Sequence, residues 1–237
     1  MVTEKFMKLL QCFVLLLLAV SQSVLAASTE TDSIWTLEKE QDGIKIYTGK
    51  VDGASLITYK AVTEINTNLG QLFDFFQDNK VTTQWIYNLK SIKLLEQKEF
   101  YESNYYVVYS TPWPVSDVSA VLRATWKYDA VNEIIMNSTV SVNAEEYSDD
   151  GFMHIPLIET HNEFQQVGTG KVKLSFQVVI DHGYALPDVI VDAVSIETLY
   201  STLVSLKKFN YEQYNKTNLF KLIPAGHVKA KIETPSK

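Results

Sequence analysis

The stretch that decides the fold is LPDVIVDAVSIETLYSTLVSLKKFNYEQY, residues 186–214, the last long segment with a helical pattern. Its apolar residues recur in steps of four and three, which places them on one stripe of a helix; they are Val189, Ala193, Ile196, Tyr200 and Leu203. Acidic residues come early in the stretch and lysines late, as the helix dipole favours. We therefore predict a long C-terminal helix with this stripe buried.

The chain before this helix reads largely as β-strands with one apolar and one polar face. The even positions are the apolar ones in residues 120–128, 133–142 and 171–181; they include Trp126, Met136, Val140, Leu174 and Phe176. The odd positions of 133–142, Asn137, Thr139 and Ser141, are predicted to face solvent. Because such alternation is typical of an antiparallel sheet covered on one side, the sequence predicts an α+β fold in which a curved sheet holds the helix.

Four other elements complete the predicted order. Residues 35–41 are predicted to form one or two helical turns, and 44–48 with 55–65 a hairpin. A short helix is predicted over 69–78. Residues 152–166 are polar and contain a proline, which favours an edge or bulged strand.

Composition describes one ordinary globular domain with an acidic balance. The 237 residues are 46% hydrophobic and carry 21 Lys and Arg against 28 Asp and Glu, a net charge of -7. Arg123 is the only arginine. Proteins bind nucleic acids and anionic membranes through clustered Lys and Arg side chains, so neither is expected as the principal partner of this acidic chain.

The N-terminus has the pattern of a secretory signal peptide. Two lysines precede an apolar run, and the small residues around Ala26 suit cleavage there. We predict a signal peptide at 1–26, a domain at 27–214, a tail at 215–237, and a periplasmic or secreted protein; a retained anchor is the alternative. Cleavage removes Cys12, the only cysteine, and with it disulfides and thiol catalysis.

Several motifs in fixed order resemble one known family. They are Trp35-x-Leu37, Asp42-Gly-Ile-Lys-Ile-Tyr47, Trp85-Ile-x-Asn88, Pro112-Trp-Pro-Val-Ser-Asp117 and Leu122-Arg-x-x-Trp126. Together they resemble the START (steroidogenic-acute-regulatory-related lipid transfer) domain across residues 34–210. The Pro-Trp-Pro-Val-Ser-Asp run is the most specific of them.

The resemblance implies a helix-grip fold, a U-shaped antiparallel sheet around the terminal helix, with a hydrophobic tunnel for one lipid or sterol. START domains carry lipids and generally catalyse no reaction. The chain departs from the family pattern at four positions. Val118-Ser119 stand where Arg-Asp is usual, His154 stands where an arginine is frequent, and Asp188 replaces an aromatic residue.

Eight residues are predicted to line the tunnel: Tyr109, Trp126, Met136, Leu174, Phe176, Ile196, Tyr200 and Leu203. The alternative for the group is ordinary core packing, since half-buried sheets need such residues anyway. Arg123 has the parity of the polar face and is interpreted as a surface residue. His154 and His161 lack a third ligand, so no metal site is predicted.

The sequence thus predicts a monomer that binds a small hydrophobic ligand. The fuller form of this prediction adds transfer of the ligand and transient contact of the protein with a membrane. No cofactor and no catalytic residue are expected, because no nucleophile elbow, phosphate loop or zinc motif occurs. Two alternatives stay open. One is a helix-grip enzyme acting on a polyketide or aromatic substrate, and the other is an interaction module whose cavity has closed.

Overall fold

The computed structural model describes residues 35–50, 56–111, 116–142, 151–181 and 187–214. Parts of the sequence interpretation lie outside these residues: the signal peptide at 1–26, residues 112–115 of the proline-rich motif, the acidic loop at 143–150, the segment 183–186 that leads into the last helix, and the tail at 215–237.

Ten strands of the described chain form one sheet. They are β1 (Trp35–Gln41), β2 (Ile44–Gly49), β3 (Thr58–Ile65), β4 (Leu89–Glu99), β5 (Glu102–Tyr109), β6 (Val118–Asp129), β7 (Ile134–Ser141), β8 (Met153–His154), β9 (Leu157–Gly168) and β10 (Lys171–Asp181). Their order is β1-β2-β3-β10-β9-β7-β6-β5-β4, antiparallel throughout, with the two-residue β8 pairing parallel to β6. The predicted α+β architecture is confirmed.

Within the described ranges three helices accompany the sheet: α1 (Leu69–Phe76), α2 (Thr82–Trp85) and α3 (Asp188–Lys208). The Asn68 side chain accepts a hydrogen bond from the backbone N–H of Gln71 and so caps α1. Phe73 and Phe75 of α1 are fully buried. They join Ile46, Phe164 and Leu203 in the main hydrophobic core, and we call the face of the sheet that contributes to this core the inner face.

The register of the strands determines which residues share the inner face, because directly paired residues of an antiparallel sheet point the same way. Phe164 on β9 pairs with Leu174 on β10 and with Ile135 on β7. Ile135 in turn pairs with Tyr128 on β6. The even positions of β6 and β10 therefore lie on the inner face, as predicted.

In β7, however, the predicted parity is wrong. The odd positions Ile135, Asn137 and Thr139 lie on the inner face, whereas Met136 pairs with Lys127 and Glu163 on the outer one. Residues 134–136 are all apolar, so hydrophobicity does not fix which parity turns inward. The pairing of Ile135 with buried Phe164 fixes it.

Other sequence predictions are also corrected. Residues Trp35–Gln41 form β1 and not helical turns, because they pair with β2 across the turn at Asp42 and Gly43, both of which have positive φ. Residues Leu157–Gly168 form a central strand between β7 and β10 rather than an edge. The bulged alternative is confirmed, because the pairing of this strand with β10 shifts register between Gln166 and Gly168. The β4–β5 hairpin was not predicted.

The terminal helix is shorter than predicted, and the predicted stripe is confirmed only in its second half. The helix ends at Lys208; Leu203 and Leu206 are fully buried, and Ile196, Leu199 and Tyr200 pack part-buried against the core. Val189 is 74% exposed and Ala193 is also exposed, so their predicted burial is wrong. Residues Val189–Lys208 are apolar and long enough to cross a membrane by length and composition, a property that core helices of globular domains share. Burial of the second half against the sheet matches a core helix.

Candidate functional site

The inner face has two halves that differ in burial. Ile135, Phe164, Leu174 and Val172 are at most 2% exposed, and we call them the sealed half. Two to six residues further along the same strands, most inner-face side chains are only part-buried, although Asn137 and Ile158 stay buried. We call the part-buried ones the part-exposed half: Thr139, Ser141, Thr160, Asn162, Phe176, Val178 and Ile180.

Aromatic side chains of α1 close the sealed half. Phe76 packs on Phe164 with ring centroids 4.9 Å apart, and Phe73 meets Trp126 edge-on at 5.5 Å. Trp126 also lies over Phe164 at 6.3 Å. Since the rings of α1 cover this region, little space remains there for another molecule.

A second hydrophobic cluster lies beyond the part-exposed half, at the far end of the inner face. Its buried members are Leu89, Val107, Val118, Ala120, Leu122, Ile155 and Ile158. Tyr109 packs against it, and burial raises the pKa of Tyr109 to about 12. Tyr109 therefore stays protonated at neutral pH and is a neutral hydrogen-bonding group rather than a base.

Four polar side chains form a hydrogen-bonded group on the inner face between the two clusters, and we call them the polar quartet: Asn137, Thr139, Thr160 and Asn162. Asn137 is 7% exposed and donates from Nδ2 to the backbone carbonyl of Thr125 at 3.2 Å. Its Oδ1 accepts from Asn162 Nδ2 at 3.2 Å and from Thr139 Oγ1 at 3.4 Å. Asn162 Nδ2 also donates to Thr160 Oγ1 at 3.3 Å.

Apolar residues surround the polar quartet. Asn137 pairs across the sheet with Trp126, and Asn162 pairs with Phe176. In the next row Thr160 pairs with Val178. The arrangement presents a small polar centre with apolar walls, which is the usual composition of a site for an apolar molecule.

Polar contacts hold the terminal helix over the sheet. Tyr59, on the inner face of β3, donates its hydroxyl to Asp192 Oδ1 at 2.5 Å. Tyr200 donates to Asp42 Oδ2 at 2.5 Å, and this hydrogen bond raises the pKa of Tyr200 to about 12. A hydrogen bond from Ser201 and the nearby Lys39 ammonium lower the pKa of Glu197.

The structure brings most of the predicted lining residues to one side of the sheet. Trp126 and Phe176 lie on the inner face, Ile196 packs half-buried against the same core, and Tyr109 packs at the second cluster. Leu174 and Leu203 are fully buried core residues. Tyr200 points towards the β1–β2 turn, where the Lys39 ammonium lies 3.6 Å from its ring centre. Met136 lies on the outer face.

The residues that sequence reasoning missed are the polar quartet. Asn137 and Thr139 were assigned to solvent through the wrong parity of β7. The signal that could have found them is the matching pattern of β9, where Asn162 and Thr160 stand at the same spacing before buried Phe164.

Two departures from the START pattern lie next to each other. Ser119 Oγ and His154 Nδ1 are 2.9 Å apart, where β8 pairs with β6. Ser119 is completely buried. The chain therefore replaces both of the family's usual residues with a hydrogen-bonded pair of its own.

Other chemistry-bearing residues remain apart from this site. Arg123 lies on the outer face with its Nε 3.8 Å from Glu102, as its parity predicts. His161 is exposed and bonds Glu159 through Nε2 at 3.0 Å. Among the described residues no group of three metal-ligating side chains comes together.

Known proteins with similar folds were found by structure comparison. A STAR-related lipid transfer protein from Xanthomonas axonopodis superposes with a TM-score of 0.66 at 22% identity, covering 73% of this chain and 97% of that one. Human StAR-related lipid transfer protein 5 gives a TM-score of 0.66 at 12% identity over 85% of this chain and 94% of that one.

In sequence, an uncharacterised protein from Pseudomonas aeruginosa is 26% identical over 175 residues, which are 73% of this chain and 85% of that protein. No protein-family model matches the chain. Two lipid-transfer structures from distant organisms thus superpose on most of this chain. We conclude that the chain has the helix-grip fold of the START domains, which confirms the resemblance found in its motifs.

Proposed function

We propose that the protein binds a small hydrophobic molecule of the lipid or sterol class between the part-exposed half of the inner face and α3, and transfers it between membranes. The observation that carries the proposal is the difference in burial along β9 and β10. Phe164 and Leu174 are sealed, whereas Phe176 and Val178 on the same face are only part-buried. The resemblance to START domains, which implies a tunnel between the sheet and the terminal helix, supports the same location.

Burial of apolar area is sufficient to hold such a ligand. Each Å² of apolar surface removed from water contributes about 25 cal/mol. Enclosing several hundred Å² therefore stabilises the complex by roughly several kcal/mol before the entropic cost of association. The walls needed for this include Trp126, Phe176 and Ile196.

The mechanism we propose is sequestration, with no chemical step. The first half of α3 forms one wall. The Lys39–Glu197 ion pair joins it to β1, and the Tyr59–Asp192 hydrogen bond joins it to β3 beside the part-exposed half. Separation at that contact opens the site to a membrane, and re-formation encloses the ligand. Exposed Val189 and Ile190 on the same half suit transient contact with a lipid surface.

We further propose that this takes place outside the cytoplasm. The predicted signal peptide at 1–26 supports a periplasmic or secreted location. The proposed acting form is a monomer, because one chain supplies both the sheet and the helix of the site.

The direct test is to identify what the protein carries. We would purify the mature protein from its native compartment, extract it with organic solvent and analyse the extract by mass spectrometry. The proposal expects a lipid or sterol at close to one molecule per protein. Val178→Trp should reduce that amount severalfold, because the larger side chain occupies the space beside Phe176.

The matched control is Gln177→Trp, which places the same side chain on the outer face of the same strand. It should leave the extracted amount unchanged. A folded wild-type protein that yields no lipid and takes up none from liposomes would contradict the proposal, and so would equal losses in both variants.

A further inference from the structure

The orientation of the polar quartet is fixed by one backbone group. The Thr125 carbonyl can only accept, so Asn137 must turn its amide Nδ2 towards it. The Oδ1 of Asn137 then faces Asn162, which must present its own Nδ2. The two amides therefore have one consistent arrangement.

This arrangement leaves hydrogen-bonding capacity unused in the part-exposed half. Asn162 donates its two amide N–H groups to Asn137 and Thr160, and its Oδ1 accepts no hydrogen bond from the described residues. Thr160 Oγ1 accepts from Asn162, and its own hydroxyl proton has no acceptor among the described residues. One acceptor and one donor thus remain side by side among apolar neighbours.

On β3, β6, β7, β9 and β10 the inner face around the polar quartet carries no charge. Lys39 on β1 pairs with inner-face Ile46, but it lies four strands away from Asn162 and its ammonium is held by Glu197 of α3. Besides the polar quartet, the side chains of these rows are apolar, aromatic or hydroxyl-bearing; they are Trp126, Ala124, Leu122, Ser141, Ile158, Phe176, Val178, Ile180, Ala61 and Tyr59. The charged groups of α3 that contact the sheet in its first half are Asp192, which bonds Tyr59, and Glu197, which bonds Lys39. A phosphate or carboxylate placed here would lose its hydration without gaining a cation.

We infer that the ligand's polar end is an uncharged hydroxyl group, which donates to Asn162 Oδ1 and accepts from Thr160 Oγ1. This inference rests on the proposed function, since it concerns the same site. A hydroxyl is suited because it is donor and acceptor at one atom. The lipids selected are sterols, long-chain alcohols and diacylglycerols, and the lipids rejected are phospholipids with anionic head groups.

The experiment measures uptake from liposomes that contain matched lipids, followed by extraction and mass spectrometry. One series is cholesterol, cholesteryl methyl ether and cholestene, and a second is hexadecanol, its methyl ether and hexadecane. The ethers accept hydrogen bonds but cannot donate them. The hydrocarbons can do neither, and they are no larger than the alcohols. Dioleoylphosphatidate serves as the anionic lipid.

In at least one series the alcohol should be retained about tenfold over its ether and its hydrocarbon, because a site built around a hydroxyl leaves polar groups unpaired when it is missing. Asn162→Leu should bring that ratio close to one. Gln165→Leu removes an amide from the outer face of the same strand and should keep the wild-type ratio. Thr160→Val preserves the shape of the side chain and should also lower the ratio of retained alcohol to retained ether and hydrocarbon. This variant tests the inference if Asn162→Leu does not fold.

Two results would overturn the inference while leaving the proposed function intact: equal retention of alcohol, ether and hydrocarbon, or a preference for phosphatidate. Uptake of none of these lipids, together with an empty native protein, would overturn both.

Discussion

The two halves of the inner face are built from the same three strands and differ in what those strands place there. In the sealed half, β7, β9 and β10 contribute Ile135, Phe164 and Leu174, none more than 2% exposed. One row along, the same strands contribute Asn137, Asn162 and Phe176. On β9 the change from Phe164 to Asn162 is both from apolar to polar and from sealed to part-exposed. On β10 Phe176 stays apolar and becomes part-exposed, and on β7 Asn137 is polar and stays buried.

This difference indicates that one half of the inner face stabilises the fold and the other half recognises the ligand. The sealed half is filled by α1, whose Phe73 and Phe76 reach the sheet, so its residues stabilise the fold by burial. The part-exposed half faces the less buried part of α3, near Ile196 and Asp192. Substitutions in the first half should change mainly stability, and substitutions in the second mainly ligand retention.

The largest effect expected is from Phe164→Ala, which removes a ring packed against Phe76, Trp126 and Phe176. Loss of burial and creation of a cavity should lower the free energy of unfolding by about 3–5 kcal/mol. Phe176→Ala, only part-buried, should cost roughly half as much and should reduce ligand retention more strongly. Urea unfolding and extraction would measure both, and equal stability losses would remove the distinction between the halves.

A smaller effect is expected within the polar quartet. Asn137→Leu leaves the Thr125 carbonyl and one N–H of Asn162 without their partner, which should cost about 1–3 kcal/mol. Combining it with Asn162→Leu should cost less than the sum of the single changes, by about 1 kcal/mol. Urea unfolding of the two single variants and the double variant tests this. Strict additivity would show that the two amides do not act as a unit.

The contrast between the halves also explains how much could be predicted from sequence. Regular alternation in β6 and β10 was sufficient to orient those strands, because only one parity there is apolar. In β7 the run Ile134-Ile135-Met136 is apolar on both parities, so its orientation depends on pairing with β9, a contact far away in sequence. The polar quartet was missed for that reason.

The terminal helix shows the same limit. Its predicted stripe included Val189 and Ala193, which are exposed, because the stripe was chosen to be apolar throughout. The stripe that faces the sheet begins with Asp192, whose carboxylate is satisfied by Tyr59. A polar residue on a buried stripe is predictable only when its partner is known, and this partner lies on β3. Residues Trp35–Gln41 likewise became a strand because β2 pairs with them.

A local effect is expected when the contact between α3 and the part-exposed half is weakened. Tyr59→Phe removes the hydroxyl that bonds Asp192 and should cost about 1 kcal/mol, because the carboxylate can still be hydrated. Hydrogen exchange should accelerate in the first turns of α3 and remain unchanged around Leu203. Ligand release should also be faster. Uniform acceleration along the whole helix would contradict a local opening.

The smallest effect concerns pH and the Tyr200–Asp42 hydrogen bond, which anchors α3 at the β1–β2 turn. The pKa of Tyr200 is raised from 10 to about 12 in the folded protein. The hydrogen bond therefore contributes its full stability below pH 10, and this contribution is lost as the pH rises towards 12. The midpoint temperature of wild-type unfolding should thus fall over this interval by slightly more than that of Tyr200→Phe, although burial of Tyr109 gives both proteins a similar background loss. Parallel curves for the two proteins would show that this anchor contributes nothing measurable.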